Sequence, residues 1–150
     1  MIYRKPTFKD VESIHKLIND YADKGLMLPR SRNVLYETLR DMIVAESNNI
    51  VVGVGALHLV WEELAEIRAM AIAPEVTKQG VGRNIVESLV VEARELGVKT
   101  LFTLTYQPGF FGKLGFTEVA KEELPHKVWK ECINCPKFPN CDETAMVRKI

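Results

Sequence analysis

The sequence predicts an α/β fold of mixed α+β type, in which a twisted sheet of antiparallel and parallel strands is flanked by helices. Strand-like runs between residues 42 and 73 are separated only by short turns, which is typical of an antiparallel meander. A strongly amphipathic helix follows from Gly80 to Leu96, and a strand rich in β-branched residues runs from Lys99 to Thr105. Because a strand, a helix and a second strand form a right-handed crossover between parallel neighbours, we expect a mixed sheet.

The length and charge of the chain restrict the classes of protein to which it can belong. Its 150 residues fit one domain, 1–150. Lys and Arg number 20, as do Asp and Glu, and this balance argues against a nucleic-acid binder that works through a basic excess. No apolar run reaches membrane-spanning length, and no apolar segment of a signal peptide follows the charges in Met1–Pro6. We therefore expect a cytoplasmic protein without a nucleic-acid or membrane partner.

Two helices are predicted before the meander. A short strand candidate, Ile2 to Lys5, precedes Thr7, which can cap a helix that continues to about Tyr21. Ser31 can cap a second, short helix. The apolar positions at helical spacing are Val11, Ile14, Leu17, Ile18 and Tyr21 in the first helix and Leu35, Leu39 and Met42 in the second.

The C-terminal part of the chain adds a short helix and two strands. The helix runs from Pro108 to Leu114, and the strands span Phe116 to Val119 and Thr144 to Arg148. The segment between these strands, Glu122 to Asp142, is long for a connection inside a compact domain, and such segments usually have a function.

The strongest local motif is the turn Lys78-Gln79-Gly80-Val81-Gly82-Arg83, which lies after a strand and begins a helix. The first N–H groups of a helix have no acceptor within the helix, and with the helix dipole they form an anion site that suits a pyrophosphate. The glycines let a ligand oxygen approach the backbone closely, and Lys78 and Arg83 add positive charge. The motif lacks the third glycine of a dinucleotide-binding fingerprint, and a bare Gly-x-Gly is more often an ordinary turn.

The order of these elements, together with Phe110-Phe111-Gly112-Lys113-Leu114-Gly115-Phe116, resembles the GNAT acetyltransferase superfamily over nearly the whole chain. The resemblance implies acetyl-CoA as co-substrate. It implies that Met70, Ala71 and Ile72 pair with pantetheine, and that Lys78, Gln79, Gly80, Val81, Gly82 and Arg83 bind the pyrophosphate. It also implies that a backbone N–H near Ile72 stabilises the oxyanion of the thioester. The family's Gln or Arg at the start of the loop is Thr77 here, although the backbone amides remain.

Glu66 is our candidate for the general base that deprotonates the attacking amine. It lies an even number of residues before Ile72 on one predicted strand, so we expect the two side chains to share a face. A solvent-facing strand glutamate fits the same pattern equally well. The resemblance places the family's general-acid tyrosine at Phe111, which cannot donate a proton. Tyr106, at the end of the parallel strand, is the alternative acid, unless it only packs there and solvent protonates the thiolate.

Basic residues between the first two helices indicate which kind of molecule accepts the acetyl group. Arg binds carboxylates through a bidentate fork, and Leu28-Pro29-Arg30-Ser31-Arg32 holds two arginines, although a solvated charged loop is the plainer interpretation. This segment, with Glu66-Ile67-Arg68 and Leu124-Pro125-His126-Lys127-Val128-Trp129, resembles the short stand-alone amino-acid N-acetyltransferases that are N-acetylglutamate synthases. The resemblance implies a small-molecule amino acid, glutamate, as the acceptor. Its two carboxylates would be held by Arg30, Arg32 or Arg68 and by Lys127.

Three cysteines lie close together in the long C-terminal segment, at Cys132, Cys135 and Cys141, with His126 before them. The Cys-x-x-Cys half fits a zinc knuckle, but the second half lacks the usual paired spacing. There are two alternatives to a zinc site. One is a structured loop that holds three thiols, and the other is a redox pair formed by Cys132 and Cys135. No disulfide framework is indicated, which favours a reducing compartment.

Two other functions remain open from the sequence. One is a GNAT enzyme for another amine, such as glutamine, a protein N-terminus or a polyamine, although Arg30 and Arg32 argue against a cationic acceptor. The other is a non-catalytic acyl-CoA sensor, which Phe111 in place of the usual tyrosine would suit. The sequence is also compatible with a homodimer.

Overall fold

The structure, a computed structural model, describes residues 1–124 and 142–150. In this part of the chain the strands are β1 Ile2–Arg4, β2 Met42–Ser47, β3 Ile50–Trp61, β4 Leu64–Ile72, β5 Thr100–Thr105, β6 Thr117–Val119 and β7 Thr144–Lys149. The α-helices are α1 Val11–Asp23, α2 Arg32–Glu37, α3 Val81–Leu96 and α4 Pro108–Lys113. Short 3-10 turns occupy Phe8–Asp10, Leu39–Asp41, Pro74–Val76 and Lys121–Glu123.

The strands form one seven-stranded sheet in the order β1-β2-β3-β4-β5-β7-β6. Strands β2, β3 and β4 pair antiparallel in sequence, which confirms the predicted meander, and β1 pairs antiparallel with β2 at its edge. Strand β5 is parallel to β4, across the predicted helical crossover. Strand β7 lies between β5 and β6 and is antiparallel to both. The mixed sheet and the α/β fold class are therefore confirmed.

Helices cover both faces of the sheet. Helix α3 packs on one face through an apolar stripe that is fully buried: Val81, Ile85, Val86, Leu89, Val90 and Ala93. Helices α1 and α2 pack on the other face through Val11, Ile14, Ile18 and Leu35, against Val54, Ala56, Ala69 and Ala71 of β3 and β4. The central strands β3 and β4 are thus enclosed between two helical layers. No helix in the described ranges is both long enough and apolar enough to cross a bilayer.

Two glycines of β3 allow α3 to lie close to the sheet. A β-carbon on Gly55 would come within 2.4 Å of Met70 Sδ and 2.7 Å of Ile85 Cγ2. A β-carbon on Gly53 would lie 3.1 Å from atoms of Ile72, Ile85 and Val81. Real β-carbons essentially never make contacts under 3.0 Å, as at Gly55, and contacts of 3.1 Å, as at Gly53, are tighter than most. The two glycines therefore let α3 and the side chains at the end of β4 pack closely over β3.

The second helix differs from the prediction. Ser31 does cap it, since Ser31 Oγ accepts the N–H of Val34 at 3.2 Å. The helix ends at Glu37, however, Leu39 lies in a 3-10 turn, and Met42 begins β2. The prediction that one helix carries Leu39 and Met42 is therefore wrong, because an apolar residue at helical spacing fits the start of a buried strand equally well.

Candidate active site

Strands β4 and β5 are paired at one end and part at the other. Their parallel ladder joins Leu64–Glu66 to Thr100–Phe102. One step further, the hydroxyl of Thr103 donates to the carbonyl of Ile67 at 2.9 Å. The rest of β4, from Arg68 to Ile72, keeps its pairing with β3 but has no ladder partner in β5 within the described residues. This opens an edge of backbone groups on β4 that is available to a ligand.

The peptide groups of Ile72 face this open edge. The N–H of the next residue, Ala73, bonds the carbonyl of Val52 on β3 at 2.7 Å. Because alternate residues of a strand direct their N–H and C=O to opposite neighbours, those of Ile72 point away from β3. There the hydroxyl of Tyr21 donates to the Ile72 carbonyl at 2.9 Å and accepts the Ile72 N–H at 3.3 Å. The helical spacing of Tyr21 predicts only a core position on α1, and no pattern in the sequence signals this contact.

The predicted pyrophosphate loop lies at the N-terminus of α3. Gly80 adopts a left-handed conformation with φ of 77°, where a β-carbon would be strained. The first helical bond runs from Asn84 N–H to the Gly80 carbonyl, so the N–H groups of Val81, Gly82 and Arg83 lie ahead of the helical ladder. Lys78, Gln79 and Arg83 are exposed around this turn. The arrangement fits an anion such as a pyrophosphate.

Thr77, which replaces the family's long polar residue, acts within the loop itself. Its hydroxyl donates to the carbonyl of Pro74 at 3.2 Å, in the 3-10 turn before the loop.

Close packing explains why residue 82 is a glycine, which the sequence did not reveal. A β-carbon there would lie 3.0 Å from Cζ of Phe110 and 3.7 Å from Cγ1 of Ile72. Gly82 therefore lets α4 and the end of β4 meet the first turn of α3.

A β-bulge in β4 overturns one expectation about Glu66. Opposite Gly55 of β3 lie two residues of β4, Ala69 and Met70, and Ala69 has φ of 59°. The extra residue reverses the alternation of side chains, so Ile72 packs with α3 whereas Glu66 points to the face of α1 and α2. The prediction that Glu66 and Ile72 share a face is wrong. The N–H of Ile72 lies in the plane of the sheet, so this correction does not remove Glu66 from the site.

Glu66 and Arg68 are neighbours on the face of β4 that α1 and α2 cover. Arg68 lies opposite Ala56, which belongs to the core under α1. Glu66 Oε1 and Arg68 Nη1 are 3.8 Å apart, and their side chains are only 17% and 12% exposed. His58 lies directly across from Glu66 on β3, and its Nδ1 is 3.9 Å from Oδ2 of Asp41. Charged groups that are this buried indicate a functional or a structural pair rather than a solvated face.

Arg30 and Arg32 occupy different environments. Arg30 is half-buried, and its Nε is fully enclosed. Arg32 is exposed and makes a bidentate ion pair with Glu12, with distances of 2.7 and 2.9 Å. This pair raises the pKa of Arg32 and lowers the pKa of Glu12 through the hydrogen bond between them. Of the two arginines, Arg30 is therefore the one in a setting that suits substrate recognition.

Tyr106 and Phe111 are the two positions considered for the general acid. The hydroxyl of Tyr106 donates to Oδ1 of Asp142 at 2.5 Å, so its proton is directed toward a carboxylate. Phe111 is buried between Phe110 and Phe116, with ring centroids 5.0 and 5.2 Å away. The position of the family's tyrosine thus serves the apolar core in this chain.

Some predicted residues lie outside the described part of the structure. They are the substrate residue Lys127 and the candidate zinc ligands His126, Cys132, Cys135 and Cys141. Within residues 1–124 and 142–150, no cluster of three or more His, Cys, Asp or Glu side chains could hold a metal ion. A cavity of about 690 Å³ lies at the paired end of β4, lined by Trp61, Leu64, Thr100 and Val147 among others. Leu64 and Ile72 are the two ends of β4, so this cavity is distinct from the open edge.

Comparison with known proteins identifies the family. The family model of the acetyltransferase (GNAT) domain matches residues 38–118, which include the whole meander, the α3 turn and α4. An amino-acid acetyltransferase of Mycobacterium tuberculosis is 37% identical over 87% of this chain and 76% of its own length. The chain belongs to the GNAT acetyltransferase family. It is an acetyltransferase, and acetyl-CoA is its co-substrate.

Solved structures agree with this assignment. A protein of Mycobacterium tuberculosis in complex with CoA and NLQ superposes with a TM-score of 0.87 and 31% identity, over 100% of this chain and 99% of that one. An N-acetylglutamate synthase from Neisseria gonorrhoeae, in complex with coenzyme A and N-acetyl-glutamate, has a TM-score of 0.90. It is 24% identical and covers 99% of this chain but only 34% of its own, so this likeness shows the fold alone.

Proposed function

We propose that this GNAT enzyme transfers the acetyl group of acetyl-CoA to the α-amino group of L-glutamate, as an N-acetylglutamate synthase of arginine biosynthesis. The observation that carries the proposal is the nearly buried pair of Glu66 and Arg68 on β4, beside the open edge that ends at Ile72. A carboxylate can accept a proton from the amine, and a guanidinium can bind a carboxylate of the acceptor.

The donor lies along the open edge of β4 in this proposal. Met70, Ala71 and Ile72 carry the backbone groups that pair with the pantetheine amides. The exposed turn of Lys78 and Gln79, with the free helical N–H groups of Val81, Gly82 and Arg83, binds the pyrophosphate. The relative from Mycobacterium tuberculosis that was solved with CoA supports this placement, since it matches the chain over its full length.

The reaction is a direct attack in a ternary complex. The α-amino nitrogen, deprotonated by Glu66 directly or through a water, forms a bond to the thioester carbon. Backbone N–H groups of the β4 edge near Ile72 stabilise the negative charge on the thioester oxygen. The C–S bond then breaks and the CoA thiolate leaves. Because the proton of Tyr106 is directed toward Asp142, protonation of the thiolate by solvent is at least as suitable as proton donation by Tyr106.

The acceptor site needs cationic partners for two carboxylates, because desolvated charges must be compensated. Arg30 is half-buried in the segment between α1 and α2, and Arg68 is nearly buried on the face of β4 that these helices cover. Arg32 is the weaker candidate, since its guanidinium is already held by Glu12. Lys127 remains part of the proposal from the sequence. A cytoplasmic location and a single domain over 1–150 also belong to the proposal.

One observation favours a second candidate, an acyl-CoA sensor. Phe111 fills the position of the usual general acid and is only 4% exposed in the core. A chain that binds acetyl-CoA without turnover would need no proton donor there. The presence of Glu66 and Arg68 favours an enzyme with an acidic acceptor over a sensor, because a sensor has no need of a nearly buried charged pair beside the donor edge.

The experiment that tests the proposed function is a survey of acceptors. The rate of CoA release from acetyl-CoA is measured with glutamate, glutamine, the other amino acids, spermidine and an N-terminal peptide. We expect saturable turnover with glutamate, and little with cationic amines. Turnover with spermidine or the peptide, and with no amino acid, would show that the acceptor is a different amine. Binding of acetyl-CoA without turnover of any acceptor would support the sensor.

A further inference from the structure

Tyr21 connects the open edge of β4 to the loop that carries Arg30. Its hydroxyl bonds both the carbonyl and the N–H of Ile72, at 2.9 and 3.3 Å. Its own backbone carbonyl accepts the N–H groups of Lys24 and Leu26, each at 3.1 Å. One half-buried residue in the last turn of α1 therefore fastens the start of the loop and contacts the donor edge.

The far end of the same loop is also tied to α1. The Nδ2 group of Asn19 donates to the carbonyl of Arg30 at 3.2 Å and to the carbonyl of His15 at 2.8 Å. Asn19 lies two residues before Tyr21 on the helix. The end of α1 is thus hydrogen-bonded to both ends of the segment between α1 and α2.

A pantetheine chain that pairs with Ile72 competes with Tyr21. The N–H of Ile72 has a single proton, and two acceptor oxygens cannot both lie on its axis at hydrogen-bond distance. The Ile72 carbonyl has two lone pairs, but a strand-like ligand approaches it from the same open edge that Tyr21 occupies. When a ligand pairs with Ile72, the Tyr21 hydroxyl must therefore give up at least the hydrogen bond that it accepts from the Ile72 N–H.

We propose that Tyr21 is a positioning residue that couples the two substrates. Donor binding displaces the Tyr21 hydroxyl from Ile72, and the release of Tyr21 repositions the loop that carries Arg30 for the acceptor. The inference rests on the proposed placement of the donor along β4. Because coupling between two sites is reciprocal, the acceptor loop and the donor edge each change the affinity of the other.

The first test is the affinity of CoA for the Tyr21→Phe protein, measured by isothermal titration calorimetry. The ring and its packing remain, but the competing hydroxyl is gone. We expect binding about three- to tenfold tighter than in the wild type, because one net hydrogen bond is equivalent to roughly fivefold in an equilibrium constant. Tyr36→Phe is the matched control, since Tyr36 is 48% exposed and packs on Phe8, and its CoA affinity should not change. Equal or weaker CoA binding by Tyr21→Phe would overturn the proposal.

The second test is hydrogen exchange of the amides of Lys24 and Leu26, with and without CoA. In the wild type we expect CoA to speed their exchange, because loss of the hydroxyl contact with Ile72 loosens the helix end whose backbone carbonyl accepts both bonds. In Tyr21→Phe, which lacks that hydroxyl contact, the exchange should not respond to CoA. No response in the wild type would contradict the coupling. A failure of the donor placement itself is recognised separately, since Gly82→Val would then leave CoA affinity intact.

Discussion

The ring of Phe110 lies against the backbone of Gly82, with its Cζ 3.0 Å from the place that a β-carbon on Gly82 would take. Ile72 Cγ1 is 3.7 Å from the same place. The contact brings together α4, the first turn of α3 and the end of β4. The shape of the donor site therefore depends on the absence of a side chain at residue 82.

The first prediction concerns this contact. In Gly82→Val the new side chain collides with Phe110 and moves either α4 or the first turn of α3. Such overpacking typically costs about 1–3 kcal/mol, so we expect CoA affinity to fall by roughly tenfold or more. Calorimetric titration with CoA measures the effect, together with a thermal melt to verify that the protein is folded.

Gly112→Ala is the matched control for Gly82→Val. Gly112 also lies in a helix, α4, but a β-carbon there meets no atom within 4 Å. Alanine is the better helix former, so stability should stay equal or rise slightly and CoA affinity should not change. A Gly82→Val protein that binds CoA as well as Gly112→Ala would show that this turn is not the donor site.

The second prediction tests Glu66 as the base. Glu66→Gln keeps the shape of the side chain but cannot accept the proton of the amine. We expect kcat to fall by about a hundred- to ten-thousand-fold while the Kd of CoA is unchanged. Glu62→Gln is the control, because Glu62 is exposed in the turn before β4. A Glu66→Gln enzyme with the kcat of Glu62→Gln would assign the proton transfer to another group.

The third prediction separates Arg30 from Arg32. Arg30→Gln should raise the KM for an acidic acceptor by roughly 10- to 100-fold, the equivalent of a lost hydrogen bond between charged groups, and leave the KM for acetyl-CoA unchanged. Arg32→Gln should leave both constants unchanged, because its guanidinium is exposed and held by Glu12. The reverse result would move the carboxylate site to the surface of α2. Equal losses for acidic and neutral acceptors would exclude a carboxylate role for Arg30.

The fourth prediction concerns stability against pH. Asp10 is buried, and its two oxygens accept from Arg4 at 2.8 and 2.9 Å. The hydrogen bonds of Arg4 hold the pKa of Asp10 below its ordinary value of 3.8, and the Thr7 N–H adds to the effect, while burial opposes it. Because the folded pKa is lowered, this stabilisation is complete well above pH 3.8 and is lost as pH falls through the lowered pKa.

Asp10→Asn removes this contribution. We expect it to reduce the free energy of unfolding by about 2 kcal/mol at pH 7. The loss should shrink as the pH falls below 3.8, where the wild type also loses its ion pair. Urea unfolding at pH 7 and pH 3 measures the difference, with Asp20→Asn as control, since Asp20 is 52% exposed and its ion pair with Lys16 lies on the surface. A pH-independent difference would assign the effect of Asp10 to packing.

Local chemistry made part of the fold predictable. Asn48 and Asn49 have φ of 51° and 65°, as a tight hairpin turn requires, and Gly97 ends α3 with φ of 89°. Both features depend on residue types that are read directly from the sequence. The loop at the start of α3 was predictable for the same reason, because its glycines and its position after a strand define it locally.

Contacts between distant residues were not predictable. The insertion of β7 between β5 and β6 depends on tertiary pairing, which alternation within a strand does not encode. The bulge at Ala69 places a non-glycine residue at φ of 59° and reverses the faces of Glu66 and Ile72, yet alanine gives no turn signal. Tyr21 reaches Ile72 over 51 positions of sequence. Its amphipathic helix was visible from the sequence, but the partner of its hydroxyl was not.

Mass-spectrometric identification of the product formed from acetyl-CoA and L-glutamate is the decisive measurement of acceptor identity. We expect N-acetylglutamate in an amount equal to the CoA released, and a corresponding loss of both in Glu66→Gln. A wild-type protein that binds acetyl-CoA but forms no acetylated glutamate would contradict the proposed function and would assign the site of Glu66 and Arg68 to another acceptor.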